Sequence, residues 1–313
     1  MAATPQATTR SSSFSGSILH LIAGGLIGLS EMVPGVSGGT VALVVGIYER
    51  AIHNGHALLH LVRTLITNPA QLKEAARRVE WVFLACVGFG MVATVLLLSS
   101  VMHNFVENHG QSARALFLGM VAVSITVPLL MISRKDYSQK RVSIIAAFII
   151  AAILTFIGTG FTSEEKTDPS LIVIFFAAAI AVCALVLPGI SGSFILLSLG
   201  LYAPVIGAVS DRNLTVMAVF ALGALTGIAC FIKVLDYLIT THRTITLATM
   251  AGLMFGSLRA LWPWQDGSGS PMAPSGSIGI TILLILVGGG IVATIMLVER
   301  RFNTKSKMQE EKA

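Results

Sequence analysis

The chain has 313 residues, 54% of them hydrophobic and 12% charged, with a mean hydropathy of +0.83. A soluble domain carries about a quarter of its residues as charge, so these values exclude a soluble protein and require a polytopic membrane protein. The formal net charge of +6 is then assigned to loops at the membrane face, where Lys and Arg set orientation, and no nucleic-acid partner is expected.

Residues 1–16 are rich in Ser, Thr and Ala with Arg10 as their single charge. They read as a disordered cytoplasmic tail and not as a cleaved signal peptide. Apolar stretches then run over 17–48, 81–102, 115–132, 142–161, 171–206, 214–240, 245–264 and 278–298. Six of the eight have the length of a full crossing, roughly 20 residues. The first and fifth are longer than 30 residues, but a Pro-Gly cuts each in half. The halves, of about 15 to 18 residues, suit a re-entrant hairpin better than a complete span.

The interruption is one motif written twice. LSEMVPGVSGGTVALVVGIY ends at Tyr48 and ALVLPGISGSFILLSLGLY ends at Tyr202. A shift of 154 positions lays Pro34 on Pro188, Gly35 on Gly189, Ser37 on Ser191, Gly38 on Gly192, Gly46 on Gly200 and Tyr48 on Tyr202. Proline removes a backbone donor and glycine admits conformations that a helix forbids. Pro34-Gly35 and Pro188-Gly189 are therefore the predicted tips of two helical hairpins.

Further matches follow at shorter offsets, Gly90 with Gly227, then His109, Gly119 and Ser124 with His242, Gly252 and Ser257. The extra residues of the first half fall mainly in the basic segment 63–80, which reads as either an amphipathic helix or a solvated loop. Three spanning helices separate the hairpins, and an odd number inverts the second unit. The expected fold is an all-α polytopic inverted repeat, each unit a Pro-Gly-broken re-entrant hairpin plus three transmembrane helices. The first unit is 17–161, the second 162–299, and a basic cytoplasmic tail occupies 300–313. With both termini inside, Arg50, Arg63, Lys73, Arg77, Arg78, Arg134, Lys135, Lys140, Arg141 and Arg243 all fall on the cytoplasmic side. Arg114, Lys166, Arg212 and Arg259 fall outside, with Glu164 and Glu165.

After each Pro-Gly a helix restarts among small residues, Ser37, Gly38, Gly39 and Thr40 in one copy and Ser191, Gly192 and Ser193 in the other. The first N–H groups of a helix lack internal partners and carry the positive end of its dipole, so such starts attract anions. The competing reading is that the glycines serve tight packing. Glu31 lies inside an apolar run three residues before Pro34, with Leu185 at the equivalent place in the second copy. Intramembrane carboxylates point to function, often proton relay, and the alternative is a structural bond to free donors at the bend. Arg259, in GSLRALWPW, and Arg114, at the start of another helix on the same side, each suit bidentate phosphate binding or an interfacial position, Arg259 beside Trp262 and Trp264; for Arg114 the interfacial reading is preferred. Lys233 and Asp236, three apart on a helix, are expected to neutralise each other. Cys86, Cys183 and Cys230 are isolated and read as packing, while His53, His56 and His60 have no carboxylate among them, so no metal site is expected.

PGVSGGT and PGISGS, each followed by a GxY, together with GSLRALWPW, resemble the bacterial polyprenyl-phosphate translocase family, often called PopT. The resemblance spans 17–298. It implies a flippase of the cytoplasmic membrane that returns the polyprenyl monophosphate lipid carrier of envelope glycan synthesis, undecaprenyl or decaprenyl phosphate, from the outer to the inner leaflet. It implies no catalysis and no cofactor, and a homo-oligomer is compatible with it. The motif is also similar to that of polyprenyl-pyrophosphate phosphatases, but Gly38 and Gly192 stand where those enzymes carry a motif arginine, and Glu31 is the one acidic residue nearby. A carrier of small inorganic anions is the third reading. The chain has no GxxxxGK[ST] motif, so an ion gradient is the expected energy source, with Glu31 as the proton-coupling candidate. The topology predicts that single cysteines at Glu164 and Arg134 label from opposite sides of the membrane; labelling of both from one side would overturn it.

Overall fold

The structure, a computed structural model, describes residues 14–31, 37–160, 169–210, 212–266 and 269–310. The first predicted tip, Pro34-Gly35, lies outside the described residues, as do Glu164, Glu165 and Lys166.

The first apolar segment forms α1 (Phe14–Glu31) and, after the break, α2 (Gly38–Val44) and α3 (Tyr48–Thr67). A short 3-10 turn and α4 (Leu72–Arg77) follow, then α5 (Trp81–Asn108), α6 (Gly110–Ser124), α7 (Thr126–Leu130) and α8 (Arg134–Gly158). The basic segment 63–80 is thus largely helical. The second half comprises α9 (Leu171–Val186), α10 (Gly192–Ser198), α11 (Tyr202–Ser210), α12 (Leu214–Thr241), α13 (Arg243–Ser257) and α14 (Ile278–Glu310).

Five stretches are long and apolar enough to cross a bilayer, Trp81–Leu98, Gly110–Leu130, Arg134–Gly158, Leu214–Thr241 and Ile278–Leu297. The sixth expected crossing, over 245–264, is shorter than read from sequence, because α13 has 15 residues and ends at Ser257. Its position explains the tolerance. Ala248, Met250, Ala251 and Met254 are buried almost completely, and a helix wrapped by protein does not have to match the hydrocarbon thickness.

Each hairpin's returning limb also differs from the continuous helix of about 15 to 18 residues read from the sequence. It stops after seven residues, at α2 and at α10. Gly46 and Gly200, with φ of 74° and 68°, take the left-handed conformation that ends a helix. The Ile47 N–H donates to the Ala42 carbonyl at 3.0 Å and the Gly46 N–H to Leu43 at 3.2 Å. In the second copy the Leu201 N–H donates to Leu196 at 2.8 Å and the Gly200 N–H to Leu197 at 2.9 Å. Both are Schellman caps, which is why glycine recurs at this place.

Helix pairing repeats as well. α1 packs on α5 as α9 packs on α12, and α6 packs on α14 as α13 packs on α8. The glycines matched between the halves lie at equivalent contacts. Gly90 of α5 abuts the Leu21 carbonyl of α1, and Gly227 of α12 abuts the Ala179 carbonyl of α9. Gly119 meets Ile285 of α14 and Gly252 meets Phe148 of α8. Small residues at these crossings let backbones approach, the usual device for packing helices in lipid.

α3 straps one end of the bundle. Arg243 at the start of α13 bonds Glu49 at 2.5 Å, and Arg50 pairs with Glu80 at the start of α5 while lying 4.4 Å from the centre of the Phe83 ring. Asn54 donates to Glu80 at 3.0 Å and accepts from its N–H at 2.8 Å. The hydrogen bond from Arg50 holds the Glu80 carboxyl below the usual carboxylate range. His53 and His56 both reach Asp236 of α12, His56 Nδ1 at 2.6 Å. The predicted Lys233–Asp236 neutralisation is replaced by this arrangement; Lys233 is exposed.

Gly46→Ala and Gly200→Ala should each destabilise the fold by about 1–2 kcal/mol, the cost of a Cβ in left-handed backbone. Thermal unfolding in detergent measures this, and a loss below about 0.3 kcal/mol would show that the caps do not set the hairpin geometry.

Candidate functional site

The two Pro-Gly motifs meet. Ser37, at the N-cap position of α2, is 1% exposed. Its hydroxyl does not cap α2 but donates to the carbonyl of Leu187, directly before Pro188, at 3.0 Å. Thr40 accepts a hydrogen bond from the Gly189 N–H at 2.9 Å. Tyr48, also buried, donates from its phenol to the Val186 carbonyl at 3.1 Å. The broken end of α9 has therefore lost its helical partners and regains three from the first motif.

Proline and glycine on the second tip account for these open groups. Leu187 is extended, with ψ of 131°, so its carbonyl points out of α9. Gly189, at φ of 89°, rests on α13, where a Cβ would lie 2.6 Å from Met254 Cα. Pro188 is fully buried. The tip is held on one side by α13 and on the other by Ser37 and Thr40.

In the second motif Ser191 also occupies an N-cap position without capping α10. Its hydroxyl lies 2.9 Å from that of Ser193. Gly38 and Gly39 face protein. A Cβ on Gly38 would collide with the Glu31 carboxylate, and one on Gly39 would lie 2.7 Å from the Val186 carbonyl oxygen. Gly192 approaches the Ala181 carbonyl oxygen in the same way, at 2.6 Å from a built Cβ. Packing against backbone thus demands glycine at Gly39 and Gly192, whereas Gly38 faces the side-chain ends of Glu31 and Ile27.

Glu31 ends α1 and turns back to the first motif, where its Oε1 accepts the Gly38 N–H at 2.8 Å. The first N–H of α2 already has an acceptor, and it is the protein's own. Arg259 lies elsewhere. Its guanidinium donates to the Phe156 carbonyl at 3.0 Å and stacks 5.0 Å from the centre of the Phe156 ring, at the end of α8. A cation on the last carbonyls of a helix is favourable, so Arg259 acts here as a helix cap. The structure brings Ser37, Gly39 and Thr40 against the end of α9 and the second tip, keeps Glu31 with Gly38 at the start of α2, and leaves Arg259 on α8.

Two features escaped the sequence. Tyr48 was matched to Tyr202 but given no task, and the pair proves unequal, since Tyr48 is 4% exposed and Tyr202 41%. Sequence spacing pairs Asp236 with Lys233, whereas its partners in the fold are His53 and His56 of α3. A carboxylate on an apolar helix, opposite a run of histidines at helical spacing, was the available signal.

Thr40→Val leaves the Gly189 N–H without its acceptor, and Ser37→Ala leaves the Leu187 carbonyl with only the long bond from the Ile190 N–H at 3.5 Å. Each should cost about 1–3 kcal/mol, the penalty of an unsatisfied buried group. A double-mutant cycle by thermal unfolding should also give coupling of at least about 0.5 kcal/mol, because both bonds hold one tip; strict additivity would contradict a shared clamp.

A family profile described as "VCA0040-like: Undecaprenyl phosphate translocase-like" matches residues 27–279. A protein of Vibrio cholerae named polyprenyl-phosphate transporter is 33% identical over 248 residues, covering 77% of this chain and 76% of its own. A Staphylococcus aureus protein of the same name is 30% identical over 260 residues, covering 78% and 86% respectively. No solved structure matches the chain. With most of its length covered, including both motifs and the helices that pack on them, the chain belongs to the undecaprenyl phosphate translocase-like family.

Proposed function

We propose that the protein moves a polyprenyl monophosphate from the outer to the inner leaflet of the bacterial cytoplasmic membrane, returning the lipid carrier of envelope glycan synthesis. Both relatives are named as transporters of polyprenyl phosphate. The observation that carries the reading is the meeting of the two motifs, through Ser37, Thr40 and Gly189. In repeat-built transporters, broken helices meeting in the bundle form the substrate site. Here the units are taken as inverted, with both termini cytoplasmic, and the cradle for the phosphate is drawn from Ser37, Gly38, Gly39, Thr40, Ser191, Gly192 and Ser193. Arg259 joins it only on leaving the end of α8.

The reaction is transfer without bond cleavage. A phosphatase at this site would need a charged group to neutralise the leaving phosphate and an acid or base to move protons. Gly38 and Gly192 occupy the places where such a cation would stand.

Glu31 supplies the coupling. Its carboxylate holds the Gly38 N–H, a donor that the incoming phosphate also needs. Two anions facing each other in hydrocarbon repel, so the carboxyl takes a proton as the phosphate displaces it. Opening toward the cytoplasm reverses the exchange. Inward movement of a negative head group opposes an inside-negative potential by about 2.3 kcal/mol per charge per 100 mV, and a proton carried with it removes that opposition.

Purified protein in liposomes should take up external polyprenyl phosphate, release no phosphate from polyprenyl pyrophosphate, and accumulate substrate when a pH gradient is imposed. Glu31→Gln should bind and exchange the lipid but lose the pH-driven accumulation. Unchanged accumulation would remove Glu31 from the mechanism, and phosphate release from the pyrophosphate would replace the transporter by an enzyme.

A further inference from the structure

Beside the first motif, α1, α2, α6 and α14 line a partly open cavity of about 200 Å³, with Leu26, Val44, Phe117, Met120 and Val292 among its walls. Three hydroxyls border it, and all are engaged. Ser30 donates to the Ile27 carbonyl at 2.7 Å, Ser124 to Met120 at 2.7 Å, and Thr40 accepts from Gly189. With almost wholly apolar walls, a space of this kind stays dry and takes apolar ligands.

Arg114 stands one turn before Phe117 on α6 and on the same side of the helix. Its side chain is half-buried, and its Nε is buried with no hydrogen-bond partner. Other arginines of the bundle are engaged, Arg50 with Glu80, Arg243 with Glu49 and Arg259 with Phe156. The guanidinium reaches back over Gly110, where a Cβ would find Arg114 Nη1 at 3.7 Å and no other atom closer than 4 Å. Among the described residues no carboxylate pairs with this cation, and there is open room beside it. An unpaired, partly desolvated guanidinium is costly, and native structures keep such groups where a ligand completes them.

We infer that Arg114 and the cavity together form a receiving site for the head end of a prenyl phosphate. The guanidinium grips the phosphate through paired N–H donors, and the first isoprene units run along α6 into the cavity. This rests on the proposed substrate. Orientation agrees with it. At about 1.5 Å per residue, Phe117 and Met120 lie roughly 10–15 Å further along α6 than Gly110, a distance that a few isoprene units bridge. On the topology proposed above, α6 enters from the outside, which makes the cation outermost and the cavity deeper, the same polarity as a lipid of the outer leaflet. The deep end of the cavity reaches Thr40, so a chain seated there lies against the first motif.

The test is binding to the full-length protein in detergent, with geranylgeranyl phosphate, geranylgeraniol and inorganic phosphate as probes. Wild type should prefer the phosphate ester to the alcohol by about tenfold or more, the worth of a charge-assisted pair. Arg114→Gln should erase that preference while leaving the alcohol's affinity unchanged, and Arg114→Lys should restore part of it. Val292→Phe, or Ile295→Phe if the first does not fold, should weaken both prenyl ligands by filling the cavity. Inorganic phosphate should bind far more weakly than the ester. A preference that survives Arg114→Gln, or inorganic phosphate binding as tightly as the ester, would overturn the inference. Liposome transport separates this from the proposed function. If wild type transports polyprenyl phosphate while Arg114→Gln keeps the preference, the inference fails and the transport reading stands. If wild type neither binds nor transports any prenyl phosphate, the transport reading falls first.

Discussion

A helix broken inside a bilayer exposes backbone donors and acceptors that no water can satisfy, at a cost of several kcal/mol for each. This chain breaks two helices, and the rest of the fold follows from how the exposed groups find partners. The Leu187 and Val186 carbonyls and the Gly189 N–H at the end of α9 are met by Ser37, Tyr48 and Thr40, while the Gly38 N–H at the start of α2 is met by Glu31. Each motif is thereby tied to something that is not its own helix. The junction is polar, confined and built from exchangeable bonds, the conditions under which an anion can replace an internal partner.

The strap formed by α3 keeps that junction in register. Tyr48 begins it at the tip of α9, and Glu49, Arg50, His53 and His56 then bind α13, α5 and α12 in turn. Exposed ion pairs contribute little individually. Here they share one helix and a buried Asn54, so loosening one strains the others. Among the described residues, every ion pair that joins separate helices involves α3, which makes this segment the link between the halves on that face.

The duplicated halves have diverged in the features that matter for transport. Glu31 faces Leu185 across the repeat, Thr40 faces Phe194, and a buried Tyr48 faces an exposed Tyr202. The first motif holds the polar groups and the second receives them. Arg114 and the apolar cavity also belong to the first half's surroundings. Equal repeats would offer the same chemistry twice; these two bring unlike chemistry to one junction.

The sequence by itself determined the membrane class, the two interruptions, the glycines of both hairpins and the helix-packing glycines. These are local or periodic properties, since a Pro-Gly in an apolar run and a glycine ending a helix act within a few residues of themselves. It also placed Glu31 where a free backbone donor needed a partner. The tertiary structure alone decided which donor meets which acceptor. Ser37 and Ser191 looked like helix caps, yet Ser37 bonds the opposite motif and Ser191 lies against Ser193. Asp236 left Lys233 for two histidines of α3, Arg259 turned to the end of α8, and the Arg114 Nε found no partner among the described residues. In hydrocarbon a polar side chain takes the nearest partner in space, and helices far apart in the chain set that neighbourhood by their packing.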